Sequence, residues 1–510
     1  MSPVALSLSI ALTLMLVSVL SLRRPRSLSL PPGPPKLPLL GNMYNVPKYC
    51  PWEAYAQYSK ELGSDIIHVG LPGASIVVLC SLQAARDLLD KRAAIYSDRR
   101  FLASQLPSYV ICLELTPCHL QRRTHRRLFH KSLGGPAANR FRSQSLAHAQ
   151  DLVRRLTEKP EAYAEHFDYV ISASMISIAY GLDVAPTGDE YISTADAILD
   201  IFLEALTPGK FLVDAIPLLK HVPAWVPGAG FQHKAVQWKR EIREWLDTPF
   251  QAAKQMMDEG SARPSFTMDN LREMEHSEVS YISEDDIKYV AGTIYSAGKD
   301  TTRLALRVFV RGILENRAAQ RNAQQQIDKV LGCKPGHRLP TFEDEPDLPW
   351  VTACVKETLR WWPVLPLGLA RCTSAEDVYE GHRIPAGSFV LPNVWAILHD
   401  ETVYPDPESF KPERFLLPDG RLNLDVPDPD IAIFGFGRRI CAGQQMGWNT
   451  VWIMVASMLA AFDITKARDE STGEVIEPSV GHTSEIMDAP VPFKCSIQRR
   501  FVNRPVLDEL

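Results

Sequence analysis

Ten residues near the C-terminal end constrain this 510-residue chain more than any other stretch: Phe434-Gly435-Phe436-Gly437-Arg438-Arg439-Ile440-Cys441-Ala442-Gly443. Glycine lets the backbone approach closely and turn tightly, and here Gly435, Gly437 and Gly443 surround one cysteine. An apolar stretch with helical character, 443–462, follows. A thiolate that ligates a metal needs N–H donors around its sulfur and little water. Cys441 falls where the helix is expected to begin, and the positive end of a helix favours an ionised thiol. Arg439, two residues earlier, is placed to meet a cofactor carboxylate. A buried structural cysteine is the plainer reading of any lone cysteine; the glycine and arginine spacing favours the ligand. The chain has nine cysteines, and none forms a Cys-x-x-Cys pair. Neither a disulfide framework nor a zinc knuckle is expected.

Composition allows a large core around this loop. Hydrophobic residues make up 45% and charged residues 23%, which excludes a disordered chain. A formal charge of −5 lacks the basic excess of a nucleic-acid binder. Residues 4–22 carry no charge and would span about 28 Å as a helix, one hydrocarbon core. Arg23, Arg24 and Arg26 follow at once. That order opposes a cleaved signal peptide and puts the N-terminus in the lumen and the body in the cytosol. The expected organisation is a transmembrane anchor helix at 1–22, a basic, proline-rich hinge at 23–40 and one catalytic domain at 41–510. The run Pro31-Pro32-Gly33-Pro34-Pro35 would hold the body at a set angle to the anchor.

In the body, 66–69 and 75–79 read as short strands around Leu71-Pro72-Gly73. Helical spacing recurs at 146–157, 196–206 and 234–246. Ser283-Glu284-Asp285-Asp286 reads as a cap and acidic first turn for a helix to about Asn316. Another helix runs 349–361, ending before Pro363, and strands are expected near 378–384 and 388–391. The fold class is mainly α with a small β region.

The cysteine loop resembles that of the cytochrome P450 family, Phe-x-x-Gly-x-Arg-x-Cys-x-Gly, with every fixed position present, including Phe434, Gly437, Arg439 and Gly443. The resemblance implies the cytochrome P450 fold, with Cys441 as the proximal thiolate ligand of the iron of heme b, a ligation that favours O–O cleavage. Further segments match in family order. Glu357-Thr358-Leu359-Arg360 is similar to Glu-x-x-Arg, and Phe410-Lys411-Pro412-Glu413-Arg414-Phe415 to the Pro-Glu-Arg-Phe segment. By resemblance Glu357, Arg360 and Arg414 form a buried triad supporting the heme-binding loop. Ala297-Gly298-Lys299-Asp300-Thr301-Thr302 resembles the distal helix. There Gly298 would leave room over the iron, and Asp300 and Thr301 would relay protons to bound oxygen. Local backbone hydrogen bonding is the alternative for Asp-Thr-Thr in a helix.

Lys299, Arg303, Arg307 and Arg311 recur every four residues, a stripe read as a solvated or ion-paired face rather than heme pocket. In the segment 121–130, Arg126 fits the family arginine that pairs with a heme propionate, while Arg122 stands where the family has tryptophan. Arg123, Arg127 and Lys131 on the opposite face are either a docking patch for an acidic reductase or an ordinary charged face; both readings stay open. Val364, Leu365 and Leu367 correspond to a strand lining the substrate cavity with Ala297, and Arg371 to a second propionate donor.

The chain has no Gly-x-Gly-x-x-Gly unit after a strand and no Gly-x-x-x-x-Gly-Lys loop, so electrons are expected from a separate protein. The resemblance implies a microsomal heme-thiolate monooxygenase on the endoplasmic reticulum membrane. It would use O2 and electrons from NADPH-cytochrome P450 reductase to hydroxylate or epoxidise an apolar small molecule. The pattern is most similar to fungal members of secondary metabolism, with terpenoid, polyketide or alkaloid substrates. A heme-thiolate isomerase needing no reductase and a non-catalytic heme sensor or carrier are the alternatives; the Asp300-Thr301 pair opposes the first.

Overall fold

The computed structural model describes residues 28–99, 120–206, 211, 213, 219, 221–226, 229–276, 282–332, 338–483 and 486–500. Its longer helices are α1 (Pro51–Leu62), α2 (Leu120–Leu133), α3 (Arg142–Glu158), α4 (Tyr163–Tyr180), α5 (Glu190–Leu206), α6 (Gly230–Asp258), α7 (Phe266–His276), α8 (Glu284–Glu315), α9 (Arg317–Leu331), α10 (Pro349–Trp361) and α11 (Gln444–Ala461).

Helix α8 organises the rest. Ser283 accepts a hydrogen bond from the Asp286 amide at 3.1 Å, and Asp286 accepts one from the Ser283 amide at 2.9 Å. This reciprocal cap satisfies two donors that a helix start otherwise orphans. At 1.5 Å per residue the helix is about 48 Å long. It packs on α4, α2, α11, α10 and α6. Helix α11 is buried on every side from Asn449 to Ala461, as expected of a helix apolar all round. These helices share one large apolar core.

A second core lies under the main sheet. Strands β1 (Ile66–Leu71), β2 (Ala74–Leu79), β3 (Arg371–Cys372) and β6 (Phe389–Pro392) form it in the order β1-β2-β6-β3. β2 runs parallel to β6, and the other pairs are antiparallel. Two hairpin sheets pair β4 (Asp377–Tyr379) with β5 (His382–Ile384) and β7 (Phe462–Lys466) with β8 (Cys495–Arg499). The expected mostly helical architecture with small sheets is the one observed.

The segment Val364–Gly368, expected as a strand, is a set of turns, with the Gly368 amide bonded to the Leu365 carbonyl at 2.9 Å. Two prolines flank and interrupt it, and proline cannot donate to a ladder. The strand starts only at Arg371.

From Leu28 the proline-rich segment lies along the sheet. The His68 amide donates to the Pro32 carbonyl at 2.7 Å, and Asn42 Nδ2 donates to Pro34 and Pro35 carbonyls at 2.9 and 3.1 Å. The expected anchor, 1–22, falls outside the described residues. Among the described residues, no helix is long and apolar enough to cross a membrane.

Candidate active site

The cysteine loop is built on its own backbone. The Cys441 amide donates to the Phe434 carbonyl at 2.7 Å, which closes the loop. Gly437 has φ 50°, and a Cβ there would lie 2.3 Å from the Leu89 carbonyl oxygen and 3.2 Å from Asp90 Oδ1. Only glycine lets the loop press onto the single helical turns at 86–91. Cys441 itself is exposed. It lies two residues before Gly443, the cap of α11, rather than in the first turn as the sequence suggested.

Arginines gather beside this loop. Arg126 Nη2 donates to the Ile440 carbonyl at 2.7 Å, Arg439 Nε to the Ser97 carbonyl at 2.8 Å and Arg371 Nη2 to the Phe436 carbonyl at 2.7 Å. Arg371 is only 3% exposed, and its Nη1 has no hydrogen-bond partner among the described residues. Burial holds its guanidinium down at about 9; Arg99 and Arg439 push the same way, Asp90 opposes and Arg126 adds. Arg99, also buried, donates to the Ala370 carbonyl. The sequence reading missed Arg99. Nothing in its spacing marks it; the bridge between Asp98 and Cys372 brings it to β3. His125 was missed too. Its Nε2 meets Asp286 Oδ1 at 2.8 Å, tying α2 to the cap of α8 and so fixing the neighbouring Arg126. Burial, against the pull of Asp286, lowers the pKa of this imidazole. The side chain of Arg122 lies outside the described residues.

Behind the loop, Glu357, Arg360 and Arg414 come together. Arg360 Nε and Nη2 reach the two Glu357 oxygens at 2.8 and 2.9 Å, and Arg414 Nε reaches Oε1 at 3.2 Å. Both guanidiniums also bind carbonyls: Arg360 those of Leu398 and Pro407, Arg414 those of Pro405 and Asp406. Glu357 and Arg360 are fully buried.

On α8, Ala297 is exposed, and Thr301, one turn on, donates its hydroxyl to the Ala297 carbonyl at 2.7 Å. Gly298 was expected to leave room over the iron. A Cβ there would sit 2.5 Å from Met175 Sδ and 3.6 Å from Met446 Cε, so the small residue also lets α8 pack closely on α4. Met446 also borders Gly443, at 3.9 Å from a Cβ placed there, so one methionine separates α8 from the cysteine loop.

The basic stripe is ion-paired and largely inward, which removes the solvated alternative. Lys299 is 2% exposed and pairs with Asp196. Arg303 bridges Asp300 at 2.8 Å and Asp168 at 3.0 Å, Arg307 binds Asp168 at 3.0 Å, and Arg311 pairs with Glu315. Asp300 therefore belongs to this network. Burial pushes its carboxyl up, against the pull of Arg303 and Lys299.

Val364 is buried, and Leu365 and Leu367 are half-buried. A cavity of about 270 Å³ lies elsewhere, between α4, α5, α6 and α8, lined by Ile176, Tyr180, Tyr191, Trp245 and Tyr295 among others. Tyr295 is about 200° around the helix from Ala297, so this cavity is distinct from the Ala297–Thr301 face.

Comparison with known proteins fits this arrangement. The family model described as Cytochrome P450 matches residues 31–488. The chain belongs to the cytochrome P450 family. It is 40% identical over 473 residues to cytochrome P450 monooxygenase ple1 of Rhodocybe pseudopiperita, covering 92% of this chain and 90% of the relative. It is also 40% identical over 476 residues to cytochrome P450 monooxygenase 98 of Postia placenta, covering 93% and 91%. Tryptamine 4-monooxygenase of Psilocybe cyanescens is 35% identical over 487 residues, 94% of each chain.

Like these relatives, this cytochrome P450 is an oxidoreductase that incorporates oxygen from O2, and its cofactor is heme b on a cysteine thiolate. The residues fit that group. A buried guanidinium with an orphaned Nη1, among other arginines, suits a ligand bearing two carboxylates. The exposed Cys441 suits a metal that prefers soft ligands.

Proposed function

We propose that this cytochrome P450 hydroxylates or epoxidises an apolar fungal secondary metabolite, with electrons from NADPH-cytochrome P450 reductase. It would act on the cytosolic side of the endoplasmic reticulum membrane, anchored by residues 1–22. Cys441 would ligate the iron. Arg126, Arg371 and Arg439, with Arg99, would hold the propionates. Heme, when bound, supplies the redox centre at which O2 is reduced and one oxygen atom passes to the substrate. The chain's own task is to exclude water, orient the substrate and move protons. Asp300, buried and held by Arg303, would hold a proton next to Thr301, whose hydroxyl would turn from the Ala297 carbonyl to deliver it. Ala297, Val364, Leu365 and Leu367 would contact the substrate.

The observation that carries oxygen insertion over isomerisation is this adjacent acid–hydroxyl pair on α8, since an isomerase needs no proton supply. Arg123 and Arg127 are exposed on α2, the helix that touches the loop through Arg126, and support docking of an acidic reductase there. Lys131, grouped with them in the sequence reading, pairs with Glu273. Substrates named for relatives extend to an indole amine, so the test panel spans terpenes, polyketide aromatics and tryptamines. Microsomes expressing this chain with a reductase should convert at least one of them with NADPH and O2. Conversion without NADPH would favour the isomerase. Heme reduction without any turnover across the panel would favour the sensor.

A further inference from the structure

A cluster far from the cysteine loop in sequence has the composition of a metal site, although no Cys-x-x-Cys pair announces it. Cys50 caps α1 and Glu53 lies in its first turn. Spacing of three residues puts thiol and carboxylate on one side of the helix start. His482 arrives from the C-terminal region. Ligand atoms of the three lie within 4.8 Å of one another. We propose that Cys50, Glu53 and His482 bind a zinc ion.

The support around His482 is the strongest argument. Its Nδ1 meets Asp488 Oδ2 at 2.5 Å, while its Nε2 faces Glu53 Oε1 at 3.7 Å. A carboxylate holding one imidazole nitrogen, so that the other presents its lone pair, is the usual outer shell of a metal-bound histidine. Asp488 is itself fixed: it is 1% exposed and accepts from Trp362 Nε1 at 2.6 Å. The imidazole lies against the Trp362 ring at 4.1 Å and against the edge of Trp52 at 5.5 Å. Tyr49 Oη accepts from the His482 amide at 3.2 Å. Asp488 and the two indoles thus orient the ring before any ion arrives.

Cys50 adds an independent sign. It is 4% exposed and held at φ 42°, a region that costs a non-glycine residue about 1–2 kcal/mol. Strain of this kind collects at functional positions, and the start of a twelve-residue helix lowers the cost of a thiolate. Bonds of 2.0–2.3 Å in a tetrahedron put ligand atoms about 3.3–3.7 Å apart. The histidine–glutamate separation of 3.7 Å is a little above the roughly 3.4 Å of a nitrogen–oxygen pair on zinc, and Glu53, exposed, can close the difference by rotation. Thiolate, imidazole and carboxylate together suit zinc better than calcium or magnesium. The fourth position would hold water. Such a site would clasp α1 to the C-terminal region.

The test is zinc content of the purified, heme-loaded full chain after growth with added zinc. About one zinc per heme iron is expected, a stoichiometry independent of substrate and reductase. Cys50→Ser and Glu53→Gln should each weaken Zn²⁺ binding at least tenfold in competition with a chelating dye, with the carbon monoxide band unchanged. Asp488→Asn should weaken it about 10–100-fold. Should Cys50→Ser not fold, Glu53→Gln, altered on an exposed side chain, gives the same readout. Wild-type protein that takes up no Zn²⁺ from micromolar solution overturns the site, leaving a hydrogen-bonded His482–Asp488 pair beside Glu53. Uptake undiminished in both variants also overturns it.

Discussion

Arg371→Met separates two contributions that usually move together. An ordinary guanidinium titrates at 12.5 and this one at about 9, because it is buried among other arginines. At 1.36 kcal/mol per pH unit the difference is about 5 kcal/mol. Arginine does not release its proton near neutral pH, so the heme-free fold carries that cost as stored repulsion and lost hydration. Methionine removes the charge and leaves the Phe436 carbonyl without its donor, a loss of about 1–3 kcal/mol. The heme-free variant should therefore be more stable than heme-free wild type by about 2–4 kcal/mol. The heme-loaded variant should lose a charge-assisted bond to a propionate, about 1.5–3 kcal/mol. Heme affinity feels both changes, about 3.5–7 kcal/mol together, so heme retention should fall by a factor of roughly 10²–10⁵ at 1.4 kcal/mol per decade. Denaturant unfolding of both forms, with heme transfer to a scavenger globin, measures the two signs. A heme-free variant less stable than wild type, or unchanged heme transfer, would refute the argument.

Glu357→Gln leaves Arg360 and Arg414 buried without a counter-charge. It should cost about 3–5 kcal/mol, a large part of a typical 5–15 kcal/mol, seen as a lower thermal midpoint and loss of the carbon monoxide band on warming. Cys441→Ala should abolish the red-shifted Soret band of the reduced, carbon monoxide-bound protein and all product, whereas Cys354→Ala should keep the band. Thr301→Ala should consume NADPH but divert electrons to hydrogen peroxide, and Asp300→Asn should slow turnover; product and peroxide per NADPH distinguish them. The Asp300 carboxyl is raised above 3.8 by burial. The folded state thus binds its proton more tightly, and stability falls as pH rises from 3.8 through the raised value; Asp300→Asn should flatten that fall.

Local signals carried much of this reading. The loop at 434–443, the Glu357–Arg360 spacing and the Ser283 cap depend on contacts a few residues apart, which a sequence displays directly. Helix α10 ends as expected before Pro363. Helix α6 runs on to Asp258, past the expected end at 246, with Pro249 buried inside it; proline usually ends such a pattern, and tertiary packing overrode it. Lys299 looked like a surface residue because its partner, Asp196, lies on α5, more than a hundred positions away. Arg99 was invisible for the same reason: only the bridge to β3 gives its position meaning.

The stitching of the proline-rich segment to the sheet bears on how chains of this family can be recombined. Pro32, Pro34 and Pro35 hold Asn42 and His68, and the Arg383 amide reaches back to the Ser29 carbonyl at 2.8 Å. The segment after residue 28 is thus a sheet component as much as a connector. A graft that exchanges leader sequences should join at or before residue 28. A junction at 41, where the composition changes, would strip hydrogen bonds from β1 and blunt the sheet that carries Arg371. Any geometry a leader imparts would pass through these few prolines, so shortening or softening them should reorient the body and loosen β1 together.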